Sequence, residues 1–165
     1  MAFGYPESYY DKPLTKTLFA QLNFDIADNG DFYVSFEADS LMYRYDHDYN
    51  QLACFGFAGR DMDLNYLRWD SYDQPWKERL AERMSRVEYV DETGLLFRSY
   101  RKGGGSVTDG LQVYRDGVLV GDVDVPLGFR MAGYVDSYYY SYVVPDEEGE
   151  RLYMFRFKWP SAPEE

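Results

Sequence analysis

Oxygen-bearing side chains recur at alternate positions in Asp46-His47-Asp48-Tyr49-Asn50, the spacing that opens a calcium-binding loop. With Asp46 as the first position, such a loop needs glycine at the sixth and a bidentate glutamate at the twelfth, where this chain has Gln51 and Phe57. The flanking residues alternate as strands do, whereas a calcium loop of this kind lies between helices. The stretch therefore reads as a hairpin turn, and neither a metal nor another cofactor is expected. Asp46 and Asp48 remain candidate ligand-binding residues by their position in that turn.

Other chemistry-bearing residues are weighed in the same way. His47 is the sole histidine, so any Ser/His/Asp or Cys/His arrangement would have to use it, and no nucleophile elbow of the G-x-S-x-G type occurs. The acid pairs Asp61 with Asp63 and Asp122 with Asp124 could in principle serve glycoside hydrolysis. Among 29 acidic residues nothing selects them over a solvated acidic surface. Arg101-Lys102-Gly103-Gly104-Gly105-Ser106 has the glycine density of a phosphate loop, but its lysine precedes the glycines and strand-like residues follow, so it reads as a mobile strand connection. Tyr9-Tyr10 and Tyr138-Tyr139-Tyr140 could form a platform on which sugar rings stack. On a strand, Tyr138 and Tyr140 share one face and Tyr139 takes the other, so at least one side must pack between sheets. Tyr138 and Tyr140 are kept as candidate saccharide contacts.

The elements that would position these groups are strands. Tyrosine, 18 residues, and phenylalanine, 11, favour a pleated surface. A length of 165 residues with 45% apolar side chains suffices for one sizeable domain, read as residues 1–165. A formal net charge of −12 opposes nucleic acid and anionic membranes as partners. Cys54 is alone, so no internal disulfide can form and no zinc set exists. Neither a secretory leader nor a membrane-spanning apolar stretch is legible at the positions given.

Three stretches repeat one plan of acidic turn, aromatic strand, loop and second aromatic strand. Their turn aspartates are Asp28, Asp91 and Asp136, separated by 63 residues (28 to 91) and 45 residues (91 to 136). The first aromatic strands are FYVSF, LLFRSY and YYYSYV; the second are LMYRYD, LQVYRD and LYMFRF. Leu41, Tyr43 and Tyr45 should face away from Met42 and Arg44, and Leu111 and Val113 away from Gln112 and Tyr114. Asp116-Gly117 is a two-residue hairpin signal, and the Asp46 to Asn50 turn falls at the matching place in the first repeat, with Asn50 able to take positive φ. The extra length between the first two repeats carries Trp76, Leu80, Met84 and Val87 at helical spacing, with Asp73 as N-cap and Pro75 in the first turn. A short amphipathic helix is expected over 73–87, serving as core or as a docking element for a partner.

LMYRYDHDYNQLACFGFAGRD, YVDETGLLFRSYRK and the ending LYMFRFKW are similar to blades of the TolB-like six-bladed β-propellers of Bacteroides-type bacteria, many of them lipoproteins of unknown function. The resemblance implies propeller-like repeats of antiparallel four-stranded sheets, about three blades at 17–60, 86–126 and 130–159. It also implies a cell-envelope or periplasmic home if a leader has been removed. No catalytic motif accompanies it. Three blades cannot close a ring, which leaves a piece of a longer protein, a homodimer through open sheet edges, or another packing of the sheets. The expected fold is thus all-β and propeller-like with one helical insertion. The expected function is a non-catalytic binding or scaffolding module for a protein or other ligand, with binding loops at Asp46 to Asn50, Lys102 to Asp109 and Pro145 to Gly149. The alternative is a saccharide-binding or carbohydrate-active protein using tyrosines and carboxylates.

Overall fold

The computed structural model describes residues 22–36, 39–62, 84–102, 105–143 and 152–160. Among them are eleven strands and no helix. Strands β1 (Leu22–Ile26), β2 (Phe32–Phe36), β3 (Met42–Tyr45) and β4 (Gln51–Phe55) form a first antiparallel sheet in chain order. Strands β5 (Met84–Val90), β6 (Leu95–Tyr100), β7 (Thr108–Arg115) and β8 (Val118–Pro126) form a second. A third contains β9 (Phe129–Val135), β10 (Tyr138–Val143) and β11 (Tyr153–Phe157). The expected propeller-like repetition of small sheets is therefore present, with three strands rather than four in the last among the described residues.

The second sheet is the filling of a sandwich. On one face Leu95, Phe97, Leu111 and Val113 pack with Phe129, Met131 and Tyr139 of the third sheet. On the other, Val87, Leu96 and Tyr114 meet Ala27, Tyr33 and Met42 of the first. Period-2 alternation explains this division, because each strand of the middle sheet must bury side chains on both sides. The alternation read in β3 and β7 is the observed one: Met42 is fully buried toward the second sheet, while Tyr43 and Tyr45 stack on the opposite face. Backbones of neighbouring sheets approach closely at their first strands, β1 to β5 and β5 to β9. The sheets therefore converge on that side.

Internal repetition extends to single positions. Asp28, Asp91 and Asp136 each occupy the turn between the first and second strands of a sheet. The turns of the first two sheets are linked directly, the Asp28 N–H donating to Asp91 Oδ1 at 2.9 Å. Ser35, Ser99 and Ser141 are buried on the second strands, each followed by an aromatic residue, Phe36, Tyr100 or Tyr142. A small side chain there lets neighbouring sheets come close.

The Asp116-Gly117 hairpin joins β7 to β8, with φ of 50° and 78° at its two residues. Both central residues of such a turn need positive φ, which glycine adopts without steric cost. In the equivalent turn after β3, positive φ falls on Tyr49 (67°) rather than on Asn50 as expected. The reason is local: Asn50 gives both its backbone N–H and its side-chain amide to the Asp46 carboxylate, at 2.8 and 2.9 Å.

The helical insertion requires a correction at its C-terminal end. Met84 to Val87 belong to β5, paired with β6 in the register Arg86↔Ser99 and Val87↔Arg98. The run Val87-Glu88-Tyr89-Val90 consists largely of β-branched and aromatic residues, and pairing with β6 overrides the helical spacing of Met84 and Val87. The remainder of the expected helix, 73–83, lies outside the described residues, as do Tyr9-Tyr10, Asp63 and the loop Pro145 to Gly149.

Candidate functional site

Two groups of polar residues stand out, one binding the fold together and one open to solvent. The first is built around Arg98 of β6, a fully buried guanidinium. It donates to Gln112 Oε1 (3.0 Å from Nε, 2.5 Å from Nη2), to the carbonyls of Ser40 (2.8 Å) and Phe57 (2.6 Å), and to the Tyr114 hydroxyl oxygen (3.2 Å). Burial lowers its pKa, and the Tyr114, Asp39 and Asp122 charges oppose that shift. The chain after β4 is thereby strapped across the second sheet: the Tyr100 hydroxyl donates to Asp122 at 2.7 Å, and Asp122 accepts the Arg60 N–H at 3.0 Å. Asp124 is paired with Arg60 and, at 2.6 Å, with Lys102. Gly59 and Gly110 flank the Tyr100 ring so closely that a Cβ at either would overlap it.

This strap alters two expectations. Asp122 and Asp124 are not simply solvated surface acids, because their carboxylates hold the strap. Lys102, placed in a mobile connection by the sequence, has a side chain only 5% exposed, lying against Asp124 and Asp61. A network of this kind in which every group has a partner is structural.

The second group lines a cleft of about 380 Å³ on the side where the sheets converge. Its walls come from all three sheets: Leu22 to Asp25 of β1, Arg86 to Glu88 of β5, Arg130 of β9 and Tyr142 of β10. Arg86 and Glu88 project from the same face of β5 because they are two residues apart on a strand. Arg86 donates to the Tyr142 hydroxyl oxygen at 3.1 Å and to Glu88 Oε2 at 3.2 Å. Burial raises the pKa of Glu88, with the Asp25 charge acting in the same direction and Arg86 opposing. Asp25 itself is a staple, accepting the N–H of Tyr89 at 2.6 Å and of Ile26 at 2.9 Å. Burial lowers the pKa of Arg130, assisted by nearby Arg101 and, more weakly, Arg86, against Asp109 and Tyr142.

The residues singled out from the sequence lie elsewhere and are not brought together. Asp46 is partly exposed and accepts from Asp48 N (2.9 Å), Asn50 N and the Asn50 side chain. Those bonds, led by the Asn50 side chain, lower its pKa, and the carboxylate serves the turn. Asp48 points to solvent beside His47, at 3.5 Å. Among the described residues no group of three or more His, Cys, Asp or Glu side chains could hold a metal ion. Tyr138 lies under two cations, Arg156 at 4.8 Å and Lys158 at 4.9 Å from its ring centroid, so that ring face is already covered. Tyr140 is half-buried on the same side of β10, while Tyr139 packs inward on Phe97 at 5.0 Å.

Sequence reasoning missed Asp25, Arg86, Glu88 and Arg130. The legible signal was Arg-x-Glu inside a run of high strand propensity, which places both charges on one face once the helical reading is set aside. Comparison with protein-family models finds no family that matches this chain, and comparison with curated proteins finds no match. Among the described residues no helix is long and apolar enough to cross a membrane.

Proposed function

We propose that this protein is a non-catalytic binding module of propeller type, and that its ligand sits in the cleft where the first strands converge. One observation carries the reading: a single open cleft receives polar side chains from all three sheets, so a ligand there would contact the whole stack at once. The carboxylates in it favour binding over acid–base chemistry. Asp25 is committed to two backbone N–H groups and Glu88 to Arg86, so neither stands opposite the other as a catalytic pair would. The resemblance to TolB-like propellers accords with this reading and is part of the proposal.

A second reading, saccharide binding, is favoured by the composition of the same cleft rather than by Tyr138 and Tyr140. Asn23, Glu88 and two arginines offer planar polar groups suited to vicinal hydroxyls, beside the apolar Phe24. Amide shift mapping with a panel of short peptides and of neutral and charged saccharides tests both. Perturbations gathered on Asn23, Arg86, Glu88, Arg130 and Tyr142 are expected from at least one ligand. Responses gathered elsewhere, no response in the cleft, or conversion of a ligand during the titration would refute the module reading.

A further inference from the structure

A groove of about 360 Å³ opens between the second and third sheets, beside the turns β5–β6 and β9–β10, and shares no residue with the cleft of the proposed function. Its floor is the buried pair Leu95 and Tyr139, and its walls are the half-buried rings of Tyr134 and Trp159. Both walls are fixed. The Trp159 ring is seated over Gly121 of β8, where an added Cβ would collide with it, and meets Phe97 edge-on with centroids 6.5 Å apart. The Tyr134 ring lies 4.8 Å from that of Tyr139. Arg115 is paired across the ladder with Leu95, so its side chain leaves the sheet on the same face, toward the third sheet. Among the described residues no ion pair involves Arg115. Burial raises the pKa of Tyr139; Thr93 and, less strongly, Arg115 oppose the shift, while the exposed Glu92 adds to it. At the rim, the Lys158 ammonium stands 4.9 Å from the Tyr138 ring centroid.

The β9–β10 turn supplies a second observation. Asp136 and Ser137 have φ of 49° and 67°, a left-handed pair like that of Asp116-Gly117, where the second residue is glycine. Glycine enters that region without steric cost, whereas a residue with a Cβ is strained there. Ser137 is exposed, so the strain serves no packing, yet it borders the groove, where its hydroxyl can meet a ligand. An aromatic wall asks for a flat ring, and a guanidinium asks for an anion. A neutral ring would strip water from Arg115 and give nothing back; a bare anion would leave the Trp159 and Tyr134 rings wet. We propose that this groove is a second binding site, for a small aromatic carboxylate whose ring lies on Trp159 and Tyr134, whose carboxylate meets Arg115, and to which the Ser137 hydroxyl donates. The guanidinium fork matches a carboxylate in two parallel bonds, which sets the angle of the ring. A volume of about 360 Å³ falls in the range of roughly 300–1,000 Å³ typical of small-molecule sites.

Benzoate, benzyl alcohol and acetate are titrated into the whole chain at low ionic strength and followed by amide shift mapping and by the indole N–H signal of Trp159. Benzoate is expected to shift Thr93, Arg115, Ser137 and the Trp159 indole, and to bind about tenfold or more tighter than either of the others, each of which lacks one of the two matched elements. Arg115→Gln should bring benzoate down to about the level of benzyl alcohol. Ser137→Gly is the sharper variant, because it relieves the turn: its melting temperature should rise while its benzoate affinity falls by about fivefold, the loss of one hydrogen bond. Benzoate that leaves the groove signals unmoved overturns the proposal. So does benzyl alcohol or acetate binding as tightly as benzoate, or a Ser137→Gly protein that binds as before. If Arg115→Gln does not fold, the three-ligand comparison and Ser137→Gly decide without it. Shifts gathered on Arg86 and Glu88 instead would sink the groove as the site and leave the cleft as the binding place, so the two readings fail separately.

Discussion

Replacing Arg98 by methionine tests whether the strap after β4 is held by the buried guanidinium. Methionine keeps an unbranched apolar stem of similar reach, so the change removes bonds more than volume. Five hydrogen bonds are lost, to Gln112, Tyr114 and the carbonyls of Ser40 and Phe57. The consequences differ among these acceptors. Gln112 Oε1 keeps the Tyr114 hydroxyl at 2.9 Å, and the Phe57 carbonyl keeps the Gln112 amide at 3.4 Å. The Ser40 carbonyl therefore bears the main loss while the Phe57 carbonyl keeps only its longer bond, and charge-assisted bonds contribute about 1.5–3 kcal/mol each. Arg98 no longer has to be stripped of water, which offsets part of the sum. A net loss of about 3–4 kcal/mol is expected, in line with removing one member of a buried charged network. Urea unfolding followed by tryptophan fluorescence gives the value from the midpoint shift, provided the slope is unchanged. A second readout is local: without its anchor the strap should open and trypsin should cut after Arg60 faster than in the parent. A midpoint within about 1 kcal/mol of the parent, with Arg60 cleaved no faster, would refute the reasoning.

Other perturbations have equally definite outcomes. Gly110→Ala should lower thermal stability by about 2–3 kcal/mol by forcing Tyr100 from its slot, and combining it with Tyr100→Ala should show strong non-additivity in melts. Ser35→Ala and Ser141→Ala should each raise stability by about 1 kcal/mol, since those buried hydroxyls have no hydrogen-bond partner among the described residues; a fall in melting temperature would show that they do have one. Glu88 has a raised pKa, so its native state holds the proton more tightly than the unfolded chain, and stability is lost as pH rises through the folded value. Glu88→Gln should therefore gain on the parent between acid and neutral pH in a series of melts, and a flat difference would count against burial as the cause. Self-association is also expected, with the outward Phe24 and Ile26 of the first sheet meeting Met154 of the third in a second copy; a mass by light scattering that stays monomeric at high concentration would exclude it.

What could be read from the sequence depended on how far each signal reached along the chain. The Asp116-Gly117 hairpin is specified by two adjacent residues, and the serine-aromatic pairs repeat at matching places, so turns and strands were legible. Arg98 sits between Phe97 and Ser99 in an aromatic strand, yet its burial depends on carbonyls 58 and 41 residues earlier, at Ser40 and Phe57. The cleft is less legible still. Asp25, Arg86 and Arg130 come from three sheets and meet only when those sheets stack, and Arg86 falls within the stretch whose spacing reads as a helix. Tyrosine pairs and an aspartate turn drew attention because they are conspicuous locally. Their partners, Arg156 and Lys158 for Tyr138 and Asn50 for Asp46, show that such side chains can be fully occupied by structure.

The strap also bears on the order in which the molecule is made. Ser40 and Phe57 to Arg60 leave the ribosome before Arg98, Tyr100, Gln112 and Asp122, the groups that hold them. Over roughly 40 to 60 residues at about 5–20 residues per second, the tail of the first sheet waits for some 2 to 12 seconds. During that interval the first sheet has its four strands but lacks the anchor at its end, and the face formed by Tyr33 and Met42 is uncovered. Protein synthesis thus passes through a stage whose exposed aromatic surface the finished fold conceals, and slowing translation within β6 and β7 would lengthen that exposure.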